Sequence, residues 1–215
     1  MRTIDLFAGV GGIRKGMELA GFTTVFSNDF DEKCKETFDL NFSEPSMTLS
    51  DFNSLDFETI PEFDILTGGF PCQPFSVAGK REGFGDMRGN HFFTIAKLIH
   101  HRRPKAFLLE NVKGLFTHDE GRTFRTIFDA LHELEYRVHY ALLNSKIHGN
   151  IPQNRERLFI VGFRDIKAYS KFEFPKAEPL SQTIFDLLED NVSDKYNVKP
   201  KILDKLLEFG IKEGS

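Results

Sequence analysis

The segment Thr3-Ile4-Asp5-Leu6-Phe7-Ala8-Gly9-Val10-Gly11-Gly12 begins the first strand-turn-helix unit of this 215-residue chain. Its first half is a short apolar run that is typical of a strand, and its second half is a glycine-rich turn. Helical spacing follows from Gly12 to Ala20, with Ile13 and Met17 on one face and Gly21 as a stop signal. A strand that passes through glycines into a helix is the first part of a βαβ unit.

The same alternation continues along the chain. Apolar or β-branched runs predict further strands at Thr24–Ser27, Asp64–Thr67, Ala106–Leu109, Tyr136–Leu143 and Arg157–Phe163. Helical spacing predicts helices over 31–42, 92–99 and 124–134. Strands separated by helices form parallel sheets, whereas the last two strands have no helix between them. We therefore expect an α/β, Rossmann-like fold with a mainly parallel sheet and an antiparallel pair at the C-terminal end.

The composition is that of a globular protein. Apolar residues make up 40% and charged residues 28%, and no apolar run approaches the length of about 20 residues that a membrane span needs. Two cysteines, Cys34 and Cys72, cannot form a disulfide framework, and no Cys/His cluster has zinc spacing. We therefore expect no membrane, no metal and a reducing, cytoplasmic compartment. The net charge of −4 excludes a polycationic nucleic-acid binder but not a local nucleic-acid site.

The stretch Gly68-Gly69-Phe70-Pro71-Cys72-Gln73-Pro74-Phe75-Ser76 places a cysteine in a turn that follows a predicted strand. A cysteine that serves packing more often lies in a periodic apolar pattern, as Cys34 does. Cysteine attacks as the thiolate, and the free thiol has a pKa of about 8.5, so a nucleophile at this place needs local help. Cys72 is either such a nucleophile or a loop thiol.

The glycines after the first strand allow the backbone to approach a ligand closely. The next strand ends in Asn28-Asp29, and an acidic residue about 20 positions after such glycines commonly binds ribose hydroxyls. This pattern indicates an adenosine-bearing cofactor. A tight turn with Asp29 as a helix cap fits equally well, because the glycine spacing departs from G-x-G-x-x-G.

Two further polar groups lie next to predicted strands. Glu110 ends a buried strand, where a carboxyl is costly unless it is hydrogen-bonded, and it should face the same crevice as Cys72. A helix-capping role is the alternative. Arg155 and Arg157 should point to one side of an extended segment, where they could clamp a phosphate or a carbonyl. An edge-strand charge pair with Glu156 is equally compatible with the sequence.

In this order, the four motifs resemble those of the cytosine-C5 DNA methyltransferases. Residues 5–12 resemble the S-adenosylmethionine loop of that family, and residues 69–73 resemble its nucleophile loop. Glu110-Asn111-Val112 resembles its acidic motif, and Gln153-Asn154-Arg155-Glu156-Arg157 resembles its basic motif. The resemblance covers residues 1–175, which would form a catalytic, cofactor-binding lobe.

The resemblance implies a reaction and a role for each motif. Cys72 would attack C6 of a cytosine that is flipped out of duplex DNA, and Glu110 would hold N3 and the exocyclic amine. Arg155 and Arg157 would lie beside the base, with Arg157 at its carbonyl edge. C5 would then take the methyl group of S-adenosylmethionine, and a base would remove the C5 proton.

The resemblance also implies roles for the surrounding residues. The cofactor-binding residues would be Phe7, Ala8, Gly9, Gly11, Gly12, Asn28, Asp29, Asp51, Phe52, Gly69 and Pro71. The residues of the substrate side and of the closing loop would be Phe70, Gln73, Ser76 and Arg88.

The chain departs from the family after residue 175. Residues 176–215 look like a connecting segment and the truncated start of a target-recognition region, and we find no match to the last two motifs of the family. The expected partners are duplex DNA and, as one option, a separate C-terminal recognition lobe. The expected setting is bacterial restriction–modification.

Three alternatives remain open from the sequence. The chain could be an interaction module that is inactive by itself, as one half of a split or truncated enzyme. It could methylate cytosine C5 in tRNA, as a eukaryotic branch of the family does. A nicotinamide oxidoreductase would also use the glycine loop, but it leaves Cys72 and Glu110 without a role.

Overall fold

The structure is a computed structural model that describes residues 1–71 and 91–196, together with 199, 201–202 and 204–205. Its strands are β1 (Arg2–Leu6), β2 (Thr23–Asp29), β3 (Thr48–Leu49), β4 (Ile65–Gly69), β5 (Ala106–Val112), β6 (Arg137–Asn144) and β7 (Glu156–Phe163). Its α-helices are α1 (Gly12–Leu19), α2 (Glu32–Asn41), α3 (His91–Arg102), α4 (Gly114–Thr117), α5 (Arg122–Glu133), α6 (Ser145–His148) and α7 (Ile166–Lys171).

Within the described residues, the strands form one mixed sheet in the order β3-β2-β1-β4-β5-β7-β6. Five strands run parallel to one another, namely β3, β2, β1, β4 and β5. Strand β7 is antiparallel to both of its neighbours, β5 and β6. This arrangement confirms the predicted α/β fold with a mainly parallel sheet and an antiparallel pair. The sequence did not predict that β7 inserts between β5 and β6.

The predicted elements are present with small shifts of their ends, and the additional elements are short. Strand β3 has two residues, too few for a sequence pattern, and two 3-10 turns follow it at Phe52–Ser54 and Phe57–Thr59. Strand β5 was predicted to be buried. Only one face is, with Phe107 and Leu109 inaccessible, while the other face is half-buried.

The core lies on both faces of the central strands. Ile4, Leu6 and Leu66 are inaccessible to solvent, and α3 buries apolar side chains such as Ile95 against the sheet. Each such side chain stabilises the fold by roughly 1.5–3 kcal/mol. The strand order reverses between β1 and β4, and ligands of open α/β sheets bind at such a point, outside the carboxyl ends of the strands.

The segment after α7 has little regular structure. It contains a 3-10 turn at Ile184–Leu187. The segment is attached to the lobe by the ring of Phe172, which packs against His139 and Phe163, and by hydrogen bonds from Glu178 N to Ile147 O (2.7 Å) and from Ser181 N to Asn150 Oδ1 (2.8 Å). Among the described helices, none combines the length and the apolar character that crossing a bilayer requires.

Candidate active site

Asp29 connects the end of β2 to the glycine loop that follows β1. Its Oδ2 accepts a hydrogen bond from Gly9 N (2.8 Å), and its Oδ1 accepts from Phe30 N (2.7 Å) and Asp31 N (3.0 Å). Asp31 caps α2, since its carboxylate accepts from the amide of Lys33, so the alternative of Asp29 as the helix cap is wrong. A carboxylate has about four acceptor positions, and Asp29 therefore retains about one for a ligand.

The loop glycines have different surroundings. A Cβ on Gly11, whose φ is 90°, would overlap the ring of Phe42. A Cβ on Gly9 or Gly12 would have no atom within 4 Å. Gly11 therefore makes a close packing contact, whereas Gly9 and Gly12 border open space that a ligand can occupy.

Phe7 is the centre of an aromatic wall beside this loop. Its ring lies 5.3 Å from the ring of Phe52 and 5.0 Å from that of His91, with an interplanar angle of 73° in both pairs. Phe52 is buried in the 3-10 turn that Asp51 caps by accepting a hydrogen bond from Asn53 N (2.9 Å). The structure thus brings together Phe7, Phe52 and Asp51, which the sequence predicted from two separate motifs.

Asn28 has a positioning role between the loop and β3. Its side-chain amide donates to Thr48 O (3.1 Å) and Ser50 O (2.9 Å), and its main-chain carbonyl accepts from Ala8 N (3.0 Å). Asn28 is almost inaccessible, and its Oδ1 has no hydrogen-bond partner among the described residues. These contacts place Asn28 and Ala8 behind the loop, where they support the residues that face open space.

Two residues at this edge escaped the sequence analysis. Phe30, directly after Asp29, has 69% of its surface exposed, although its ring is large and apolar. His91 is the first residue of α3 and contacts Phe7. An aromatic residue next to an acid at a strand end was a usable signal for Phe30. His91 carried no signal, because only the tertiary structure brings it to Phe7.

A buried carboxyl lies beneath the loop. Asp5 is 1% exposed, and it accepts hydrogen bonds from Thr67 Oγ1 (2.8 Å) and Arg14 N (3.2 Å). Burial raises the pKa of Asp5 to about 6, and the bonds from Thr67 and Arg14 oppose this effect only in part.

Glu110 lies where β4 and β5 end side by side. It is in register with Gly69 on β4, and a Cβ on Gly69 would lie 3.3 Å from Glu110 Oε2. Its Oε1 forms an ion pair with Arg157 Nε at 3.0 Å, and both side chains are 22% exposed. Arg157 and Phe159, which is opposite Glu110 on β7, project from the same face, and this places the guanidinium beside the carboxylate.

The end of β5 also fixes the chain that leads to the predicted nucleophile. Asn111 Nδ2 donates to Phe70 O (2.9 Å), and its Oδ1 accepts from Val112 N (2.8 Å). Phe70 is buried and Pro71 is exposed. The predicted residues Cys72, Gln73, Ser76 and Arg88 lie outside the described residues.

The two arginines of the basic motif differ in their surroundings. Arg155 precedes β7, is exposed, and has no ion pair or side-chain hydrogen bond among the described residues. The carboxylate of Glu156 pairs with Lys113 (2.9 Å). The alternative of a charge pair between the arginines and this carboxylate is therefore not found in the described part of the chain, where Arg157 pairs with Glu110 instead.

The arrangement can bind a nucleoside-like cofactor and a polar ring side by side. The aromatic wall, the open space beside Gly9 and the remaining acceptor position of Asp29 suit an adenosine group. The oriented carboxylate of Glu110 can accept hydrogen bonds from a heterocycle. In the part of the chain that the structure describes, no group of three or more His, Cys, Asp or Glu side chains could hold a metal ion.

Comparison with known proteins agrees with this geometry. The family model "C-5 cytosine-specific DNA methylase" matches residues 1–213. The chain is 48% identical over 206 residues to a protein named type II methyltransferase M1.ScrFI of Lactococcus lactis subsp. cremoris, in a match that covers 94% of this chain and 52% of that protein. It is 46% identical over 208 residues to type II methyltransferase M.HaeII of Haemophilus aegyptius, with coverages of 96% and 64%.

A solved structure supports the fold. The Dnmt2 methyltransferase of S. pombe superposes with a TM-score of 0.69 at 24% identity, over 95% of this chain and 66% of that one. The chain therefore spans between 52% and 66% of the length of these three proteins. The match of the family model over almost the whole chain confirms the resemblance, and the chain belongs to the C-5 cytosine-specific DNA methylase family.

Proposed function

We propose that this chain is the catalytic lobe of an enzyme that transfers a methyl group from S-adenosylmethionine to C5 of a flipped cytosine in duplex DNA, in a restriction–modification system. The observation that carries the proposal is the Glu110 carboxylate, which Arg157 orients over Gly69 at the end of the strand that leads to Cys72. The name of the family supports DNA over tRNA as the substrate.

S-adenosylmethionine, when bound, supplies an electrophilic methyl group. Asp29 would accept a hydrogen bond from a ribose hydroxyl with its remaining acceptor position. Phe7 of the aromatic wall and the exposed Phe30, which directly follows Asp29 in the chain, would contact the purine. The open space at Gly9 and Gly12 would admit the rest of the ligand close to the backbone.

The cytosine ring needs activation, because its C5 is a poor nucleophile. The Cys72 thiolate would form a bond to C6, and the electrons of the C5–C6 double bond would move to C5. Glu110 would accept a hydrogen bond from the exocyclic amine and share a proton with N3, which stabilises the negative charge that the ring gains. C5 would then be nucleophilic enough to take the methyl group that S-adenosylmethionine supplies. Loss of the C5 proton to a base restores the double bond and expels the thiolate.

A covalent trap tests this proposal. DNA of several kilobases, synthesised with 5-fluorocytosine, carries a fluorine that no base can remove as a cation, so the adduct accumulates. With S-adenosylmethionine present, we expect a protein–DNA adduct that survives denaturation. Cys72→Ser should abolish it, whereas Cys34→Ser, which changes a half-buried thiol on α2, should form it like the wild type. An adduct that persists in Cys72→Ser would overturn the covalent mechanism.

Glu110→Gln tests the carboxylate separately. The substitution keeps the shape but removes the charge and the shared proton, so we expect the rate of methyl transfer to fall by about 10² or more. Binding of the cofactor should be almost unchanged, because Glu110 does not contact the aromatic wall. Full turnover by Glu110→Gln would contradict the assigned role.

A specific observation supports a second, compatible proposal on partners. Four exposed apolar side chains lie close together in the sequence after the lobe, namely Ile184, Phe185, Leu187 and Leu188, each with 52–77% of its surface exposed. Such clusters usually mark an interaction site. We propose that a recognition lobe packs on this segment, either as a continuation of the same chain or as a separate chain. Because reading of DNA would then require this lobe, adduct formation by residues 1–215 alone at the rate of a full-length relative would contradict the proposal.

A further inference from the structure

His91 lies at the cofactor crevice but has no counterpart in the four motifs. It is the first residue of α3, and its half-buried ring meets Phe7 at 5.0 Å with an interplanar angle of 73°. Phe7 contacts Phe52 in the same manner. The imidazole therefore extends the aromatic wall beside the glycine loop.

A chain of two hydrogen bonds determines which nitrogen of His91 carries the proton. Thr94 Oγ1 donates to Asn53 Oδ1 at 2.6 Å, and this orients the Asn53 amide. Asn53 Nδ2 then faces His91 Nδ1 at 3.2 Å. An amide nitrogen can only donate, so Nδ1 must accept, and the neutral imidazole carries its proton on Nε2.

This arrangement leaves one N–H donor on the His91 ring, which belongs to the wall. Among the described residues, His91 Nε2 has no hydrogen-bond partner. The adenine ring has three nitrogens, N1, N3 and N7, that accept hydrogen bonds and carry no proton. A fixed N–H at the purine pocket is complementary to such an acceptor, and it offers no site for the exocyclic amine, which is a donor.

We propose that His91 is a cofactor-binding residue that donates a hydrogen bond from Nε2 to a ring nitrogen of the adenine, and that Asn53 and Thr94 are positioning residues that fix its tautomer. The inference rests on the proposed function, because it requires an adenosine-bearing ligand at this wall. The competing interpretation is that His91 only packs against Phe7. In that case an apolar side chain of similar size at position 91 would support ligand binding as well as histidine does.

Calorimetric titration with S-adenosylhomocysteine separates the two interpretations without any measurement of activity. We expect His91→Leu to bind about tenfold more weakly than the wild type, the value of one hydrogen bond. Three analogues, with N1, N3 or N7 replaced by C–H, identify the acceptor. One of these analogues should bind the wild type about tenfold more weakly than S-adenosylhomocysteine does. The same analogue and S-adenosylhomocysteine should bind His91→Leu with equal affinity.

Two measurements need no substitution at His91, so a variant that fails to fold does not end the test. Nitrogen chemical shifts of His91 in the wild type should report a proton on Nε2, and Asn53→Leu should mix the two tautomers. The wild type should also discriminate against one of the three analogues. Equal binding of all three by the wild type, or a proton on Nδ1, would overturn the inference. Failure of the wild type to bind S-adenosylhomocysteine at all would instead count against the proposed cofactor.

Discussion

Asp5 shows how one residue beneath the glycine loop depends on its protonation state. Thr67 Oγ1 has a single hydrogen but lies within bonding distance of two acceptors, Ile4 O (2.9 Å) and Asp5 Oδ1 (2.8 Å). A neutral Asp5 satisfies both contacts, because its own proton can point to Thr67 while the hydroxyl donates to Ile4. The geometry therefore agrees with the pKa of about 6 that burial produces.

We predict that Asp5→Asn stabilises the protein at neutral pH. The folded-state pKa lies above the ordinary value of 3.8, so the folded protein holds this proton more tightly than the unfolded chain. The resulting stability is fully present below about pH 4 and is lost as the pH rises through 6, a loss of about 3 kcal/mol. Asparagine keeps the hydrogen bonds without a charge. Urea unfolding of the wild type and of Asp5→Asn between pH 4 and 8 should show that the free energy of unfolding of the variant exceeds that of the wild type by an amount that grows with pH. A difference that stays constant over this range would contradict the raised pKa of Asp5.

At the scale of elements, the turn between β1 and α1 depends on packing as well as on ligand access. Arg14 of α1 donates to the carbonyls of Glu44 (2.7 Å) and Pro45 (2.8 Å), and its guanidinium lies 4.4 Å from the centroid of the Phe42 ring. The same ring fills the space beside Gly11. The turn, α1 and the connection from α2 to β3 therefore form one packed unit.

We predict opposite effects of alanine at two adjacent glycines. Gly11→Ala introduces a Cβ into the Phe42 ring at a φ of 90°, and it should destabilise the protein by about 2 kcal/mol or more. Gly12→Ala is the matched control, since its Cβ enters open space at the start of α1, and it should be neutral or stabilising by up to about 1 kcal/mol. Denaturant unfolding measures both, and an equal loss in the two variants would show that the packing argument is wrong.

At the scale of the whole molecule, stability is concentrated in the sheet. Strands β1 and β4 are buried on both faces, whereas the described side chains of 181–196 are exposed. We predict that amides of 184–196 exchange with solvent within seconds, while those of β1, β4 and β7 exchange only on global unfolding. Hydrogen-exchange mass spectrometry checks this. Comparable protection of the two regions would mean that the boundary near residue 175, which remains a prediction, is misplaced.

The sequence was sufficient to predict the features of the fold that depend on local residue patterns. Strand and helix periodicity, the glycine turn and the lack of a long helical pattern between β6 and β7, where the structure has only the four-residue α6, follow from short-range preferences, and they predicted the fold class. The order of four short motifs was sufficient for the family. The roles predicted for Cys72, Glu110, Arg155, Arg157, the cofactor residues and the closing loop remain predictions.

Only the tertiary structure decided which side chains meet. The insertion of β7 beside β5 pairs Arg157 with Glu110, two residues that are 47 positions apart, and no local pattern specifies that pairing. The contact of His91 with Phe7 and the hydrogen bond from Gly9 N to Asp29 Oδ2 also arise from packing. The physical reason is that periodicity reports which face of an element is buried, whereas contacts between distant elements depend on how their surfaces fit together.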